Sequence, residues 1–161
     1  MWEINEIYVL KMWVVHMKRT LLDGLMAWKN KKNRLPLILK GARQVGKTWL
    51  LNEFGRQSFD DVLYINFENT PGLKETFDGD ISPRRILDLL GALHSKKIEP
   101  QETLLIFDEV QEIPRALTAL KYFAENAPSM QSAVPVRCLA LHCMAALHSQ
   151  LAKSSFLTYL H

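Results

Sequence analysis

Apolar residues recur at helical spacing from Lys18 to Asn30, at Leu21, Leu22, Leu25, Met26 and Trp28, with polar residues between them. A basic, turn-like patch follows, from Lys29 to Arg34. Leu35 to Leu39 is a short apolar run that predicts a buried strand, in which Pro36 is tolerable only at the start. Gly41 to Gly46 reads as a loop. Thr48 to Phe54 carries Leu50, Leu51 and Phe54 at helical spacing, with Gly55 closing the helix. Val62 to Phe67 is a second apolar, β-branched run. Asn69 to Asp80 holds Pro71, Gly72 and Gly79 and reads as irregular. Ser82-Pro83 is an N-cap with proline at the first helical position, ahead of Ile86, Leu87, Leu89, Leu90 and Leu93. Thr103 to Phe107 is a third strand. Pro114 opens another helix, carried by Leu117, Leu120, Tyr122 and Phe123 and ending near Ala127-Pro128. Strands alternating with helices of this length imply a parallel sheet with helices on its faces. There are no internal repeats and no low-complexity tract.

Composition refines this picture at a few points. The 161 residues suit one domain, and 48% hydrophobic with 23% charged excludes overall disorder. No run of apolar residues is long enough for a spanning helix. Two cysteines, Cys138 and Cys143, make no disulfide framework, so a reducing cytoplasm is the expected compartment. Residues 1–16 are apolar but carry Glu3, Glu6 and Lys11, unlike a signal peptide. They read either as an over-long start ahead of Met17 or as a short packed strand or helix. The net charge of +3 is too small to indicate nucleic acid or a membrane surface.

Gly41-Ala42-Arg43-Gln44-Val45-Gly46-Lys47-Thr48 fits G-x-x-x-x-G-K-[ST] at every fixed position, between a predicted strand and a predicted helix. Glycines let the backbone turn with no Cβ in the way, so that successive N–H groups cradle phosphate oxygens. The following helix adds its positive N-terminal dipole. Lys47 is expected to reach the β- and γ-phosphates of ATP, and the Thr48 hydroxyl to ligate Mg²⁺. Leu104-Leu105-Ile106-Phe107-Asp108-Glu109 ends an apolar strand in two carboxylates, at the sheet edge where open α/β folds bind ligands. Asp108 is placed to hold the Mg²⁺ hydration shell, as a Walker B carboxylate does, and Glu109 to polarise an attacking water as general base.

GARQVGKTWLL, YINFEN and LLIFDEVQEIPRALTALKYF, in this order, resemble a family of prokaryotic AAA+-type ATPases that carry a C-terminal domain of unknown function. The likeness runs from about Met17 to Ala127. It implies ATP and Mg²⁺ as cofactors, with Gly41 to Thr48 on phosphate, Thr48 and Asp108 on the metal, and Glu109 as catalytic base. It also implies a sheet in the order 5-1-4-3-2 and, from the wider superfamily, homo-oligomers. A polar sensor at the end of the fourth strand, an arginine finger and the C-terminal domain belong to the family pattern, and none of them maps onto this sequence.

The tail is where the pattern stops. All 17 acidic residues lie before residue 131, and the last 31 residues hold only Arg137 and Lys153 as formal charges. The first 130 residues therefore net +1. At the slot for the central fourth strand stands Gln131-Ser132-Ala133-Val134-Pro135-Val136-Arg137, with a proline that cannot donate to a ladder. With suitable codons, Ser149 to Phe156 reads FPVGKVEF in another frame, which looks like the stretch this family has after its fourth strand. A change of reading frame near residue 130 accounts for both features; a divergent C-terminal helix is the alternative. Cys138, His142, Cys143 and His148 lack the convergent spacing of a structural zinc site.

The expectation is therefore an α/β P-loop NTPase core with a parallel sheet flanked by helices, incomplete, its strands 4 and 5 missing or replaced. Residues 1–16 form an extension, 17–128 a partial AAA+ domain and 129–161 a divergent tail. Its function is ATP binding, with hydrolysis impaired. A P-loop small-molecule or nucleotide kinase is the competing enzyme, although its only adjacent arginine pair, Arg84-Arg85, falls in the first turn of a helix. The third reading is non-enzymatic: a gene remnant that folds poorly, or a nucleotide-dependent binding module.

Overall fold

A computed structural model describes residues 20–32, 35–42, 44–137 and 155–158. Five strands lie in one sheet: β1 (Leu37–Gly41), β2 (Asp61–Asn66), β3 (Thr103–Asp108), β4 (Gln131–Arg137) and β5 (Ser155–Thr158). Their order is β2-β3-β4-β1-β5, and every pairing is parallel. Parallel strands need covered faces, and helices cover both here. A helix over residues 20–29 (α1) and α2 (Lys47–Ser58) take one face. The other is taken by α3 (Leu73–Phe77), α4 (Pro83–His94) and α5 (Pro114–Asn126).

Alternation along each strand sorts the core into two layers. Leu37, Leu39, Leu104 and Ile106 pack with Leu21, Leu25, Trp28, Leu50, Leu51 and Phe54. Their sequence neighbours Ile38, Leu105 and Phe107 face the other way, onto Ile86, Leu90, Leu117, Leu120 and Phe123. Phe107 sits between two edge-on rings, Phe67 at 5.6 Å and Phe123 at 6.3 Å. Such pairs add about 0.5–1.5 kcal/mol beyond the area they bury. Trp28 donates its indole N–H to the Leu35 carbonyl at 2.9 Å, which ties α1 to the approach of β1.

The structure differs from the sequence expectations at three places. Gly55 does not close α2, which runs on to Ser58. It is a point of contact: a Cβ there would stand 2.5 Å from Val62 Cγ2, so glycine lets α2 lie close on β2. The segment expected to be irregular contains the short helix α3. Its C-terminal end is held by two arginines. Arg85 donates to the Thr76 and Asp80 carbonyls, and Arg115 to those of Phe77 and Gly79. These cations satisfy carbonyls that a helix end leaves unpaired.

The third difference is the largest. The fourth and fifth strands, expected to be missing or replaced, are both present, and both come from the divergent tail. β4 fills the slot between β3 and β1. The proline is accommodated by where the ladders end. β4 pairs with β3 only from Gln131 to Ala133, while its register with β1 runs from Ala133 through Pro135 to Arg137. At Pro135 the strand therefore has no β3 ladder left to interrupt. Strand β1 consequently has neighbours on both sides. Cys138, His142, Cys143 and His148 lie outside the described residues, as do residues 1–16.

Candidate functional site

The site forms where β1, β3 and β4 end at one edge of the sheet. An open cavity of about 390 Å³ is lined by Gln44, Val45, Gly46, Lys47, Thr48, Asp108, Glu109 and Pro135. Ligands bind outside the carboxyl ends of strands in folds of this kind.

The loop leaves β1 at Gly41 and enters α2 at Lys47. Gly46 has φ +84°, a left-handed conformation that favours glycine, and its carbonyl accepts the first helical bond from Leu50 N–H at 2.9 Å. Gln44 also adopts a positive φ, +63°, which costs a side-chain-bearing residue about 1–2 kcal/mol. No acidic residue stands in the first turn of α2, so the positive end of that helix faces the cavity without a countercharge of its own. Lys47 is 7% exposed, and its ammonium donates to the carbonyl of Gly41 at 3.0 Å and to that of Ala42. The lysine thus spans the mouth of the loop and projects its charge there. Arg43 lies outside the described residues.

Asp108, the last residue of β3, stands opposite Thr48. The Thr48 hydroxyl donates to Asp108 Oδ2 at 2.9 Å. An ionised carboxylate only accepts, so the single hydroxyl proton goes to Asp108 and the threonine lone pairs are left for a cation. Glu109 follows at φ +53°, and its backbone N–H donates to Asp108 Oδ1 at 3.0 Å. Its carboxylate accepts a bond from the Gln111 amide. Hard oxygens from a threonine and a carboxylate, beside a buried ammonium, suit Mg²⁺ with a phosphate chain. Among the described residues no group of three or more His, Cys, Asp or Glu side chains could hold a metal by itself. That pattern is ordinary for Mg²⁺, which takes one or two protein groups, substrate phosphates and water.

The structure brings together all the described residues singled out from the sequence: Gly41, Ala42, Gln44, Val45, Gly46, Lys47, Thr48, Asp108 and Glu109. It adds four others. Tyr64 donates its hydroxyl to Asp108 Oδ2 at 3.0 Å. Asn66 Nδ2 lies 3.4 Å from that hydroxyl, and Asn66 Oδ1 accepts from the N–H groups of Glu68 and Asn69. Gln111 holds Glu109, and Pro135 forms the β4 wall. A signal for Tyr64 was available in the alternation of β2. Leu63, Ile65 and Phe67 are buried on one face, which leaves Tyr64 and Asn66 on the other, rising toward the edge that carries Asp108. Partial burial pushes the Tyr64 phenol above its usual pKa; the Asn66 hydrogen bond opposes this, while the Asp108 hydrogen bond and the Asp108 and Glu109 charges add to it. It remains a neutral donor at ordinary pH.

Comparison with known proteins agrees with this architecture. The model of an AAA domain family matches residues 33–135. No curated protein matches the chain. Among solved structures, a chain of Drosophila ORC bound to AT-rich DNA and Cdc6 superposes with a TM-score of 0.59 at 18% identity, over 89% of this chain and 53% of that one. A chain of Drosophila ORC bound to DNA gives 0.54 at 16% identity, over 88% of each chain. The Aeropyrum pernix ORC1 protein in complex with DNA gives 0.50 at 13% identity, over 89% and 44%. This chain thus spans about half the length of the first of these. At such identities the likeness speaks for the fold. The sheet order, the loop between β1 and α2 and a family match over more than half of the residues lead to one assignment: the chain belongs to the AAA domain family of P-loop ATPases.

Proposed function

We propose that the chain binds ATP together with Mg²⁺ in the cavity at the ends of β1, β3 and β4. The observation that carries the reading is the convergence of Lys47, Thr48 and Asp108, with the Thr48 hydroxyl 2.9 Å from the Asp108 carboxylate. The loop N–H groups and the start of α2 bind phosphate oxygens, and the Lys47 ammonium moves from loop carbonyls to the β- and γ-phosphates. Thr48 and Asp108 hold Mg²⁺, which supplies neutralisation of charge on the phosphate chain.

Glu109 is the group positioned to take a proton from an attacking water, once it leaves the Gln111 amide. Hydrolysis is proposed to be near background. In the family pattern the end of the fourth strand carries a polar sensor; among the described side chains, the β4 residue that lines this cavity is Pro135, which offers no donor. Phosphoryl transfer depends on such positioned donors. Assembly into homo-oligomers and a cytoplasmic setting belong to the same proposal. No helix among the described residues is long and apolar enough to cross a membrane. DNA is present in the ORC complexes named above; the partner proposed for this chain is the nucleotide.

Titration with a fluorescent ATP analogue tests the reading. Binding should require Mg²⁺ for full affinity and fall at least about 10-fold in Lys47→Ala, through loss of charge-assisted bonds to phosphate. Unchanged binding in that variant sinks the proposal. The kinase alternative is disfavoured because Arg85 is committed to the Thr76 and Asp80 carbonyls on the α3–α4 side.

A further inference from the structure

The Asp108 carboxylate receives three donors from three different parts of the chain. Oδ2 accepts from the Thr48 hydroxyl at 2.9 Å and from the Tyr64 hydroxyl at 3.0 Å, while Oδ1 accepts from the Glu109 N–H at 3.0 Å. A carboxylate has about four lone-pair sites, two on each oxygen. Among the described residues, Oδ2 is therefore saturated, and the open acceptor site lies on Oδ1. Two of the donors are fixed by elements the phosphate site already needs, α2 and the β3 backbone. The third comes from the neighbouring strand and from a residue that has no other evident task.

We propose that Tyr64 is a positioning residue for the metal: its hydroxyl locks the rotation of the Asp108 carboxylate, so that Oδ1 is presented to the Mg²⁺ hydration shell. The proposal rests on the nucleotide-binding reading given above. Several features of β2 support it. Register places Tyr64 level with Ile106 and Asn66 level with Asp108, so the phenol reaches two register positions along the sheet to meet the carboxylate. Tyr64 is 37% exposed and lies on the face of β2 opposite the buried Leu63, Ile65 and Phe67, so its ring is not part of that core layer. A tyrosine placed there only for packing would have no reason to reach the cation-binding carboxylate. Asn66 contributes a further donor 3.4 Å from the phenol oxygen. The phenol can then donate to Asp108 and accept from Asn66 at once, which sets the direction of its proton.

Without Tyr64 the carboxylate keeps one donor on each oxygen, Thr48 on Oδ2 and the Glu109 N–H on Oδ1, and its rotation is less restricted. Removing a partner that orients a metal-binding group typically costs about 10–100-fold in metal affinity. Magnesium would be held here partly by the phosphate chain of the nucleotide, so the lower end is expected.

The experiment measures binding of a fluorescent ATP analogue to the full chain and to Tyr64→Phe, with Mg²⁺ titrated from zero (EDTA) to saturation. Tyr64→Phe keeps the ring and removes only the hydroxyl. The expected result is a Mg²⁺ half-saturation raised about 10-fold, with affinity for the metal-free nucleotide unchanged. An unmoved Mg²⁺ half-saturation overturns the proposal. So does an equal loss of affinity with and without Mg²⁺, which would mean a structural role. Asn66→Ala serves as the second variant and should shift the Mg²⁺ midpoint in the same direction by less. A wild-type chain that binds no nucleotide under either condition overturns the parent reading, and this inference with it.

Discussion

Strands β3 and β4 lie side by side at the centre of the sheet, yet they are built differently. β3 is TLLIFD: five buried residues, then the acid that enters the site. It pairs with β2 over six residues, from Thr103 to Asp108. β4 is QSAVPVR, and it pairs with β3 over only three. Its Ser132 is fully buried, and among the described residues its hydroxyl has no hydrogen-bond partner. Both strands reach the same cavity, β3 through its last residue Asp108 and β4 through Pro135. A central position is therefore not enough to make a strand functional. β3 combines apolar alternation that locks its register with a polar end that meets the phosphate loop. β4 fills space and completes the order of the sheet, but brings no polar group to the cavity through Pro135.

This contrast leads to unequal costs of mutation. Phe107→Ala removes the ring that links Phe67 and Phe123, and it should destabilise the fold by about 3–5 kcal/mol. The matching truncation on β4, Val134→Ala, removes two methyl groups from a fully buried site and should cost about 1–3 kcal/mol. Urea unfolding of both variants gives the comparison directly. Equal losses would mean that β4 is as deeply integrated as β3, which would erase the contrast between the two strands.

The same contrast explains what could be read from the sequence. β3 is legible because its apolar run reads as a buried strand and its terminal acids, beside the phosphate loop, read as a metal site; the loop is legible because the eight-residue pattern from Gly41 to Thr48 serves one kind of chemistry. β4 is not, because Pro135 argues locally against a central strand. Only the sheet register shows that pairing with β3 has ended at Ala133, before the proline is reached. β5 was equally hidden, since Ser155–Thr158 has too few residues to show a period. Gly55 was misread for a related reason: a helix stop and a close-packed glycine look alike until Val62 is seen beside it. Tyr64 was overlooked as chemistry because a tyrosine in an apolar run reads as packing, and its bond to Asp108 depends on the register between β2 and β3.

Pro135 supplies a sharper test of how β4 sits. If it stands beyond the β3 ladder, as the register indicates, Pro135→Ala restores an N–H that finds no strand partner there. The variant then loses the proline's restriction of the unfolded chain and part of a buried side chain. It should be less stable by about 0.5–1.5 kcal/mol, seen as a lower urea midpoint with unchanged slope. A gain in stability would show instead that proline interrupts the ladder to β1, where Leu39 is its register partner.

The smallest effect expected on β4 is also the one with an unusual sign. Ser132 lies in register with Leu105, in the part of β4 that does pair with β3, and its side chain is fully buried. Among the described residues its hydroxyl has been taken out of water without a partner in return, which typically costs about 1–3 kcal/mol by protein mutation. Ser132→Ala removes that cost and leaves a methyl of nearly the same size, so no large cavity forms. The variant should be more stable by up to about 1 kcal/mol, because relaxation and the lost packing of the oxygen reduce the gain. Destabilising changes are the rule for buried positions, so a raised urea midpoint here would be informative despite its size. Thr103, the buried hydroxyl at the start of β3, provides the control, because its oxygen accepts from the Glu99 N–H at 3.1 Å. Thr103→Val should therefore lower stability while Ser132→Ala raises it. If both variants lose stability alike, the Ser132 hydroxyl has a partner after all, and β4 is better fitted to its slot than its three-residue ladder to β3 implies.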